Sequence, residues 1–205
     1  MLNGPPGVGK DTFFNVAKSY FPSGHAKRFA FADPIRNGFR ALNGLDSIND
    51  AEFESHKRDE TSTLYLAPWL HAAGIETIRA GFIDLAENYM KAKFGPQVFA
   101  SVQTNAIRHF KETIEDKKAN LACITDLGFQ QEYNEVVSSF INVSPVHLIY
   151  VEREGYTFSG DSRSKVISTD ARVKVWTINN CGTNLYSLAI KELLQSIYIN
   201  TYGKA

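Results

Sequence analysis

The sequence predicts an α/β fold of three layers, in which helices cover both faces of a mostly parallel sheet. Three apolar runs carry this prediction, and each has the length of a buried strand: residues 121–125, 146–151 and 174–178. Helical patterns separate these runs, and such alternation is typical of parallel sheets. Because ligands of parallel sheets bind at the carboxyl ends of the strands, polar residues that follow the strands are the candidate site residues.

The N-terminal elements are a strand, a glycine-rich loop and an amphipathic helix. Only three residues precede Gly4, so the strand is very short or the native chain begins further upstream. Residues 27–32 are expected to form the next strand, which ends at Asp33-Pro34. Proline suits the first turn of a helix, so a helix is expected there, with Arg36 one turn along it.

The middle of the chain carries the weakest signals. Residues 43–62 are polar and of mixed charge, which favours a solvated connection or a mobile flap. Helical patterns return over 77–94 and again from Pro96. In the last third, 130–140 is expected to be a helix, and 185–199 an amphipathic closing helix.

Composition restricts the class of protein. The 22 basic residues cancel the 22 acidic ones, so no general attraction to nucleic acid or to a membrane is expected. Neither a signal peptide nor an apolar run of about 18 residues is recognised. Cys123 and Cys181 lack metal-ligand spacing and are expected to be buried, reduced thiols. We therefore expect a cytoplasmic protein that binds small molecules.

The most informative motif is the N-terminal loop, which lies one residue from the phosphate-loop pattern G-x-x-x-x-G-K-[ST]. The loop reads Gly4-Pro5-Pro6-Gly7-Val8-Gly9-Lys10-Asp11-Thr12. Its backbone N–H groups can surround a polyphosphate, and the helix that starts near Lys10 adds its positive end. The alternative is a glycine-rich turn without a ligand. The pattern favours nucleotide binding, with Gly4, Gly7, Val8 and Gly9 as backbone contacts and Lys10 as the cation.

Asp11 occupies the position of the hydroxyl that normally ligates Mg²⁺ in such loops. Asp11 or the following Thr12 is therefore predicted to hold the metal. The alternative for Asp11 is a carboxylate that the dipole of the helix start favours.

Several segments, in order, resemble those of the phosphate-loop nucleoside monophosphate kinases, and especially the bacteriophage deoxynucleoside monophosphate kinases. The segments are the loop ending in Gly9-Lys10-Asp11-Thr12, Phe31-Ala32-Asp33-Pro34-Ile35-Arg36, Ile78-Arg79 with Phe94-Gly95, Ile124-Thr125-Asp126 with Phe129 and Glu132, Tyr150-Val151-Glu152-Arg153 with Asp161-Ser162-Arg163, and Asn179-Asn180-Cys181-Gly182-Thr183. The resemblance implies ATP and Mg²⁺ as cofactors and a deoxynucleoside monophosphate as acceptor. It also implies one kinase domain, with a core of about 1–40 and 111–205, an acceptor-binding region of about 41–110 and a lid of about 152–168. If the chain is phage-encoded, its place is the host cytoplasm.

Two departures from the family pattern fall where phosphate contacts are expected. Leu127-Gly128 stands where the family has an arginine. In the lid, the family has Asp-Ser-His and a glutamate further along, whereas this chain reads Asp161-Ser162-Arg163-Ser164-Lys165. They leave the identity of the acceptor open.

The donor side of the reaction is expected to use six residues. Lys10 bridges the outer phosphates. Arg153 and Arg163, which flank a glycine-bounded flap, neutralise charge in the transition state, or else belong to a solvated basic loop. Asp126 orients the metal, or else only caps the following helix. Asn180, with Gly182, approaches the adenine through the backbone, or else forms an ordinary turn.

The acceptor side is expected to use Arg36 on the phosphate, with Arg79 as a second cation. Asp33 either positions the acceptor or caps its helix. For either arginine, an exposed surface position is the alternative. The sequence leaves three whole-protein possibilities open: a deoxynucleoside monophosphate kinase, a kinase for another small phosphorylated acceptor, and a catalytically degenerate nucleotide-binding protein. A homodimer is also left open.

Overall fold

The strands of the computed structural model are parallel to their neighbours, and the structure describes residues 1–59, 66–114 and 120–202. The strands are β1 (Leu2–Asn3), β2 (Ala26–Phe29), β3 (Leu121–Ile124), β4 (His147–Glu152) and β5 (Lys174–Asn179). One sheet has the order β1-β4-β5, and β2 pairs with β3. A parallel bridge between Asn3 and Leu127 joins β1 to the segment after β3. The predicted α/β class with parallel strand pairing is therefore confirmed.

Helices lie between the strands and fill the middle of the chain. They are α1 (Lys10–Ala17), α2 (Ala32–Leu42), α3 (Asp50–Arg58), α4 (Pro68–Ala72), α5 (Ile78–Ile83), α6 (Ala92–Phe94), α7 (Val98–Glu112), α8 (Gln130–Phe140) and α9 (Thr183–Tyr202), with a 3₁₀ turn at Lys18–Tyr20 and a π-helical segment at Asp84–Lys91. None of the helices in the described part of the chain has the length and hydropathy of a membrane span.

The chain divides into two compact units, which are Met1–Phe31 with Ala100–Ala205, and Ala32–Phe99. The sequence had placed the corresponding borders near residues 40 and 110. The first unit contains all the described strands, and its core joins β1 and β4 to α1 and α9. Leu2 and Ile190 are fully buried in this core, and Phe13 is 2% exposed. The glycine-rich loop is therefore anchored by buried residues on both sides.

The second unit is helical, and three aromatic rings form its centre. The ring of Phe39 lies 6.3 Å from those of Phe53 and Phe82, measured between centroids. The solvated connection expected over 43–62 is wrong for α3, which Asn49 caps by accepting the N–H of Glu52. Phe53, 1% exposed, anchors this otherwise polar helix, and a single apolar residue gives little periodic signal. Residues 60–62 of that stretch lie outside the described residues.

His147, at the start of β4, is held as a neutral ring. Its Nδ1 accepts a hydrogen bond from Trp176 Nε1 at 3.1 Å, and its Nε2 lies 3.4 Å from Thr201 Oγ1. Burial, followed by the nearby positive charges of the N-terminus and Lys174, lowers the pKa of His147 from 6.5 to about 4. These contacts confirm that the ring of His147 has hydrogen-bond partners, but the residue is half-buried and does not belong to the core.

The pKa of His147 predicts a loss of stability in mild acid. Between pH 6.5 and about 4, the unfolded chain binds a proton that the folded chain does not. The free energy of unfolding should therefore fall as the pH drops through this window. His147→Asn keeps an acceptor for Trp176 without titrating, so it should remove this part of the pH dependence in urea unfolding. An unchanged dependence in the variant would contradict the assignment.

Candidate active site

The loop between β1 and α1 closes around the ammonium group of Lys10. Lys10 Nζ donates to the carbonyl oxygens of Gly4 at 2.6 Å and Pro5 at 2.7 Å, and the residue is 8% exposed. Gly7 and Gly9 have φ angles of 73° and 108°, in the left-handed region that favours glycine. Gly9 is the N-cap of α1, and no side chain of the described residues caps that helix. The loop therefore encloses a cation and ends at a helix N-terminus whose first N–H groups can meet an anion.

Two glycines of the loop are also fixed by close contacts. A Cβ atom at Gly4 would lie 2.4 Å from the carbonyl oxygen of Val151, and one at Gly9 would lie 2.6 Å from Asn180 Nδ2. Asn180 Nδ2 donates to the carbonyl oxygen of Val8 at 2.8 Å. The loop is thus packed against the ends of β4 and β5, and Asn180 contributes to its shape.

The electrostatic surroundings of Lys10 connect the loop to other predicted site residues. Burial and, to a lesser degree, the positive charge of Arg163 lower the pKa of Lys10 from 10.5 to about 8. The carboxylates of Asp11, Asp126 and Asp161 oppose this shift. Lys10, Asp126, Asp161 and Arg163 therefore interact electrostatically as one charged cluster.

The residues predicted to hold Mg²⁺ differ in their surroundings. Asp11 is paired with Arg28, whose Nε lies 2.9 Å from its Oδ1, and its side chain is 71% exposed. Thr12 is exposed. Asp126, the second residue after β3, accepts the backbone N–H of Phe31 at 2.8 Å. Within the described residues, no group of three or more histidine, cysteine, aspartate or glutamate side chains could hold a metal.

Asp161 fixes the guanidinium of Arg163. Nε and Nη2 of Arg163 each lie 2.8 Å from a carboxylate oxygen of Asp161, and the backbone N–H of Arg163 donates to the same carboxylate at 2.9 Å. The hydrogen bonds from Arg163 lower the pKa of Asp161 to about 2. The side chain of Arg163 crosses the face of Gly128. The two departures from the resembled pattern are therefore in direct contact.

Asn3 was not predicted as a site residue. It joins three chain segments next to Gly128 and Arg163. It is 1% exposed, and its Nδ2 donates to the carbonyl oxygens of Leu127 at 2.9 Å and Ser164 at 3.0 Å. Its Oδ1 accepts the N–H of Val166 at 3.2 Å. The signal in the sequence was a polar residue within a buried strand, next to the loop.

Arg153 lines a cavity beside the loop. Its guanidinium lies 4.8 Å from the ring centroid of Tyr156, and a Cβ atom at Gly7 would lie 3.0 Å from the same ring. The cavity has a volume of about 470 Å³, and Gly4, Pro5 and Arg153 are among its lining residues. The predicted lid thus contacts the loop through Tyr156.

A second cavity, of about 530 Å³, lies against the segment after β5 and is lined in part by Asn180, Cys181 and Gly182. Gly182 has a φ of 109°, and its N–H donates to Asn180 Oδ1 at 3.2 Å. Arg153 lines this cavity as well. The expectation of two buried thiols is confirmed for Cys123 and wrong for Cys181, which is exposed because its loop faces this cavity.

The predicted acceptor residues lie in the second unit. Arg36 Nη1 is 2.6 Å from Asp33 Oδ1, and Arg36 Nη2 is 3.0 Å from Glu54 Oε1. Arg79 is exposed in the first turn of α5. Its positive charge, with that of Arg36, helps to lower the pKa of Lys57, although burial is the main cause. Arg36, Arg79 and Lys57 therefore form a cationic group that Asp33 and Glu54 partly neutralise.

A comparison of the sequence with protein-family models and with curated proteins finds no match in either.

The contacts of Asn3 predict that its amide is a main support of the site. Asn3→Ala would remove the amide partner of three backbone groups, two of them in buried hydrogen bonds, so we expect a loss of about 2–3 kcal/mol in the free energy of unfolding by urea. Asn142→Ala is the matched control, because Asn142 bonds only to exposed Arg172 among the described residues. Its expected loss is below about 0.5 kcal/mol. Equal losses in the two variants would contradict the role of Asn3.

Proposed function

We propose that this protein is an ATP- and Mg²⁺-dependent phosphate-loop kinase, with the three-layer α/β/α fold of nucleoside monophosphate kinases, that phosphorylates a deoxynucleoside monophosphate to its diphosphate. One observation carries the proposal: the ammonium of Lys10 is buried in its own loop. Within the described residues, its direct hydrogen-bond partners are only the neutral carbonyls of Gly4 and Pro5. Lysine is almost never fully buried unless it is paired. A polyphosphate in the loop would supply the missing negative charge.

Phosphoryl transfer mainly requires that two polyanions be aligned and their charge neutralised. Lys10 Nζ can exchange the loop carbonyls for oxygens of the β- and γ-phosphates, while loop N–H groups and the start of α1 hold the remaining oxygens. Arg163 and Arg153 would neutralise the charge that develops on the transferred group. The cavity beside Asn180 and Gly182 suits the adenine base.

Asp126 fits the role of an outer metal ligand best. Its charge acts on Lys10, and the N–H of Phe31 fixes its orientation. Asp11 would have to leave Arg28 in order to bind a metal directly, and Thr12 offers a hydroxyl beside it. When bound, Mg²⁺ would neutralise phosphate charge and orient the transferred group.

Arg36 suits the phosphate of the acceptor. Asp33 and Glu54 hold its guanidinium in a fixed orientation, which supports planar, bidentate recognition of a phosphate. The incoming phosphate would take the place of one carboxylate. Arg79 would add a second positive charge. The deoxynucleotide identity of the acceptor rests on the family resemblance.

The proposal predicts a loss of phosphoryl transfer in Lys10→Ala. We expect at least about a 100-fold lower rate of ADP formation from MgATP, because a charge-stabilising donor is lost from the transition state. The assay uses each common deoxy- and ribonucleoside monophosphate as acceptor. Lys18→Ala is the matched control, because Lys18 is exposed just after α1 and should keep wild-type rates.

Full activity of Lys10→Ala would end the proposal. If the wild-type protein binds ATP but turns over no nucleoside monophosphate, two alternatives remain, and a panel of other small phosphorylated acceptors separates them. Turnover of such an acceptor identifies a different kinase, and no turnover of any acceptor identifies a binding protein without catalysis.

A second prediction concerns the metal role of Asp11. If Asp11 holds Mg²⁺, Asp11→Asn should weaken Mg²⁺ dependence about tenfold while changing ATP affinity without metal by less. Arg28→Gln breaks the same ion pair but keeps the carboxylate, so it should preserve the Mg²⁺ dependence. If both variants lose Mg²⁺ dependence to the same extent, the role of Asp11 is its ion pair with Arg28 and not metal binding.

A further inference from the structure

Gly128 leaves room for the stem of Arg163. A Cβ atom at Gly128 would lie 2.3 Å from Arg163 Cγ, 2.5 Å from Cδ and 2.6 Å from Cβ. Gly128 is not among the glycines with positive φ, so its backbone conformation does not itself require glycine. Since the contact involves the root of the arginine side chain, a torsion change at the far end of Arg163 cannot relieve it.

The backbone on both sides of this contact is fixed. The N–H of Ser164 donates to the carbonyl oxygen of Gly128 at 2.9 Å. Asn3 binds the carbonyl oxygens of Leu127 and Ser164, the residues next to Gly128 and Arg163. The two segments therefore cannot move apart without breaking these bonds, and a side chain at position 128 would have to displace Arg163.

The far end of Arg163 is fixed by Asp161 and lies within the charged cluster of the loop. Asp161 binds Nε and Nη2, and within the described residues Nη1 has no hydrogen-bond partner. The charges of Arg163 and Lys10 act on each other, and those of Asp126 and Glu132 act on Arg163. One edge of the guanidinium thus remains available to an anion that also meets Lys10.

We propose that Gly128 and Asp161 are positioning residues, which direct Arg163 to the outer phosphate of a nucleotide bound in the glycine-rich loop. Gly128 provides the path for the side chain, and Asp161 sets the orientation of the guanidinium. This inference rests on the proposed function, because it specifies how one cation of that site reaches its phosphate.

A double-mutant cycle tests the inference with wild type, Gly128→Ala, Arg163→Ala and the double variant. The measurements are kcat and KM for transfer from MgATP, and Kd for ATP by calorimetry. We expect Gly128→Ala to lower kcat at least about tenfold, and to have a clearly smaller effect on kcat and Kd in the Arg163→Ala background, where only the contact with Cβ at 2.6 Å remains. Gly38→Ala is the matched control, because its Cβ would meet nothing within 4 Å and its φ is not positive. It should keep wild-type constants.

Asp161→Asn provides a second variant if Gly128→Ala does not fold. It should lower kcat in the wild-type background and be neutral in the Arg163→Ala background. The inference would be overturned if the effect of Gly128→Ala or Asp161→Asn on kcat simply added to that of Arg163→Ala. Full activity of both Gly128→Ala and Asp161→Asn would also overturn it. If wild type binds ATP but transfers no phosphoryl group, the proposed function is wrong. The Kd values of the four variants for ATP then still test whether Gly128 and Asp161 act through Arg163. If wild type binds no ATP, both fall.

Discussion

The burial of the Lys10 ammonium is the constraint on which the site depends. Removing a cation from water is costly, and the carbonyls of Gly4 and Pro5 only partly offset that cost, which is why the pKa of Lys10 falls to about 8. The loop must curve tightly to present both carbonyls, and Gly7 and Gly9 supply the left-handed turns. A site that keeps an incompletely compensated charge is prepared for an anion.

The parallel sheets explain why distant residues meet at this loop. Parallel strands end at the same edge, so Asn3, Asp126 and Asn180, each at or just past the end of a strand, lie on the same side as the loop. Asn3 and Asp126 form hydrogen bonds between chain segments, while Asn180 shapes the loop through Val8. The fold thus supports the cation from several directions, and the charged cluster follows from that support.

Local patterns made the loop and the strands predictable from sequence, while Arg163 was indicated by the resemblance of the lid segment. The glycine-lysine spacing is a short-range signal, and the buried strands are continuous apolar runs. The pairing of Asp11 with Arg28 and the contact of Arg163 with Gly128 were not predictable, because each joins residues of different elements. Helix α3 was missed for another reason, since its stability comes from a cap and one buried ring rather than from a periodic pattern.

The most direct test of the account is a nuclear magnetic resonance titration of the ¹⁵N-labelled protein with MgADP. If the loop holds the phosphates of a nucleotide, the largest shifts of backbone N–H signals should occur at residues 7–12, in the loop and the first turn of α1. Smaller shifts should follow at 180–182, beside the second cavity. Saturable shifts elsewhere, with the loop signals unchanged, would contradict the central claim that this loop holds the phosphates of a nucleotide.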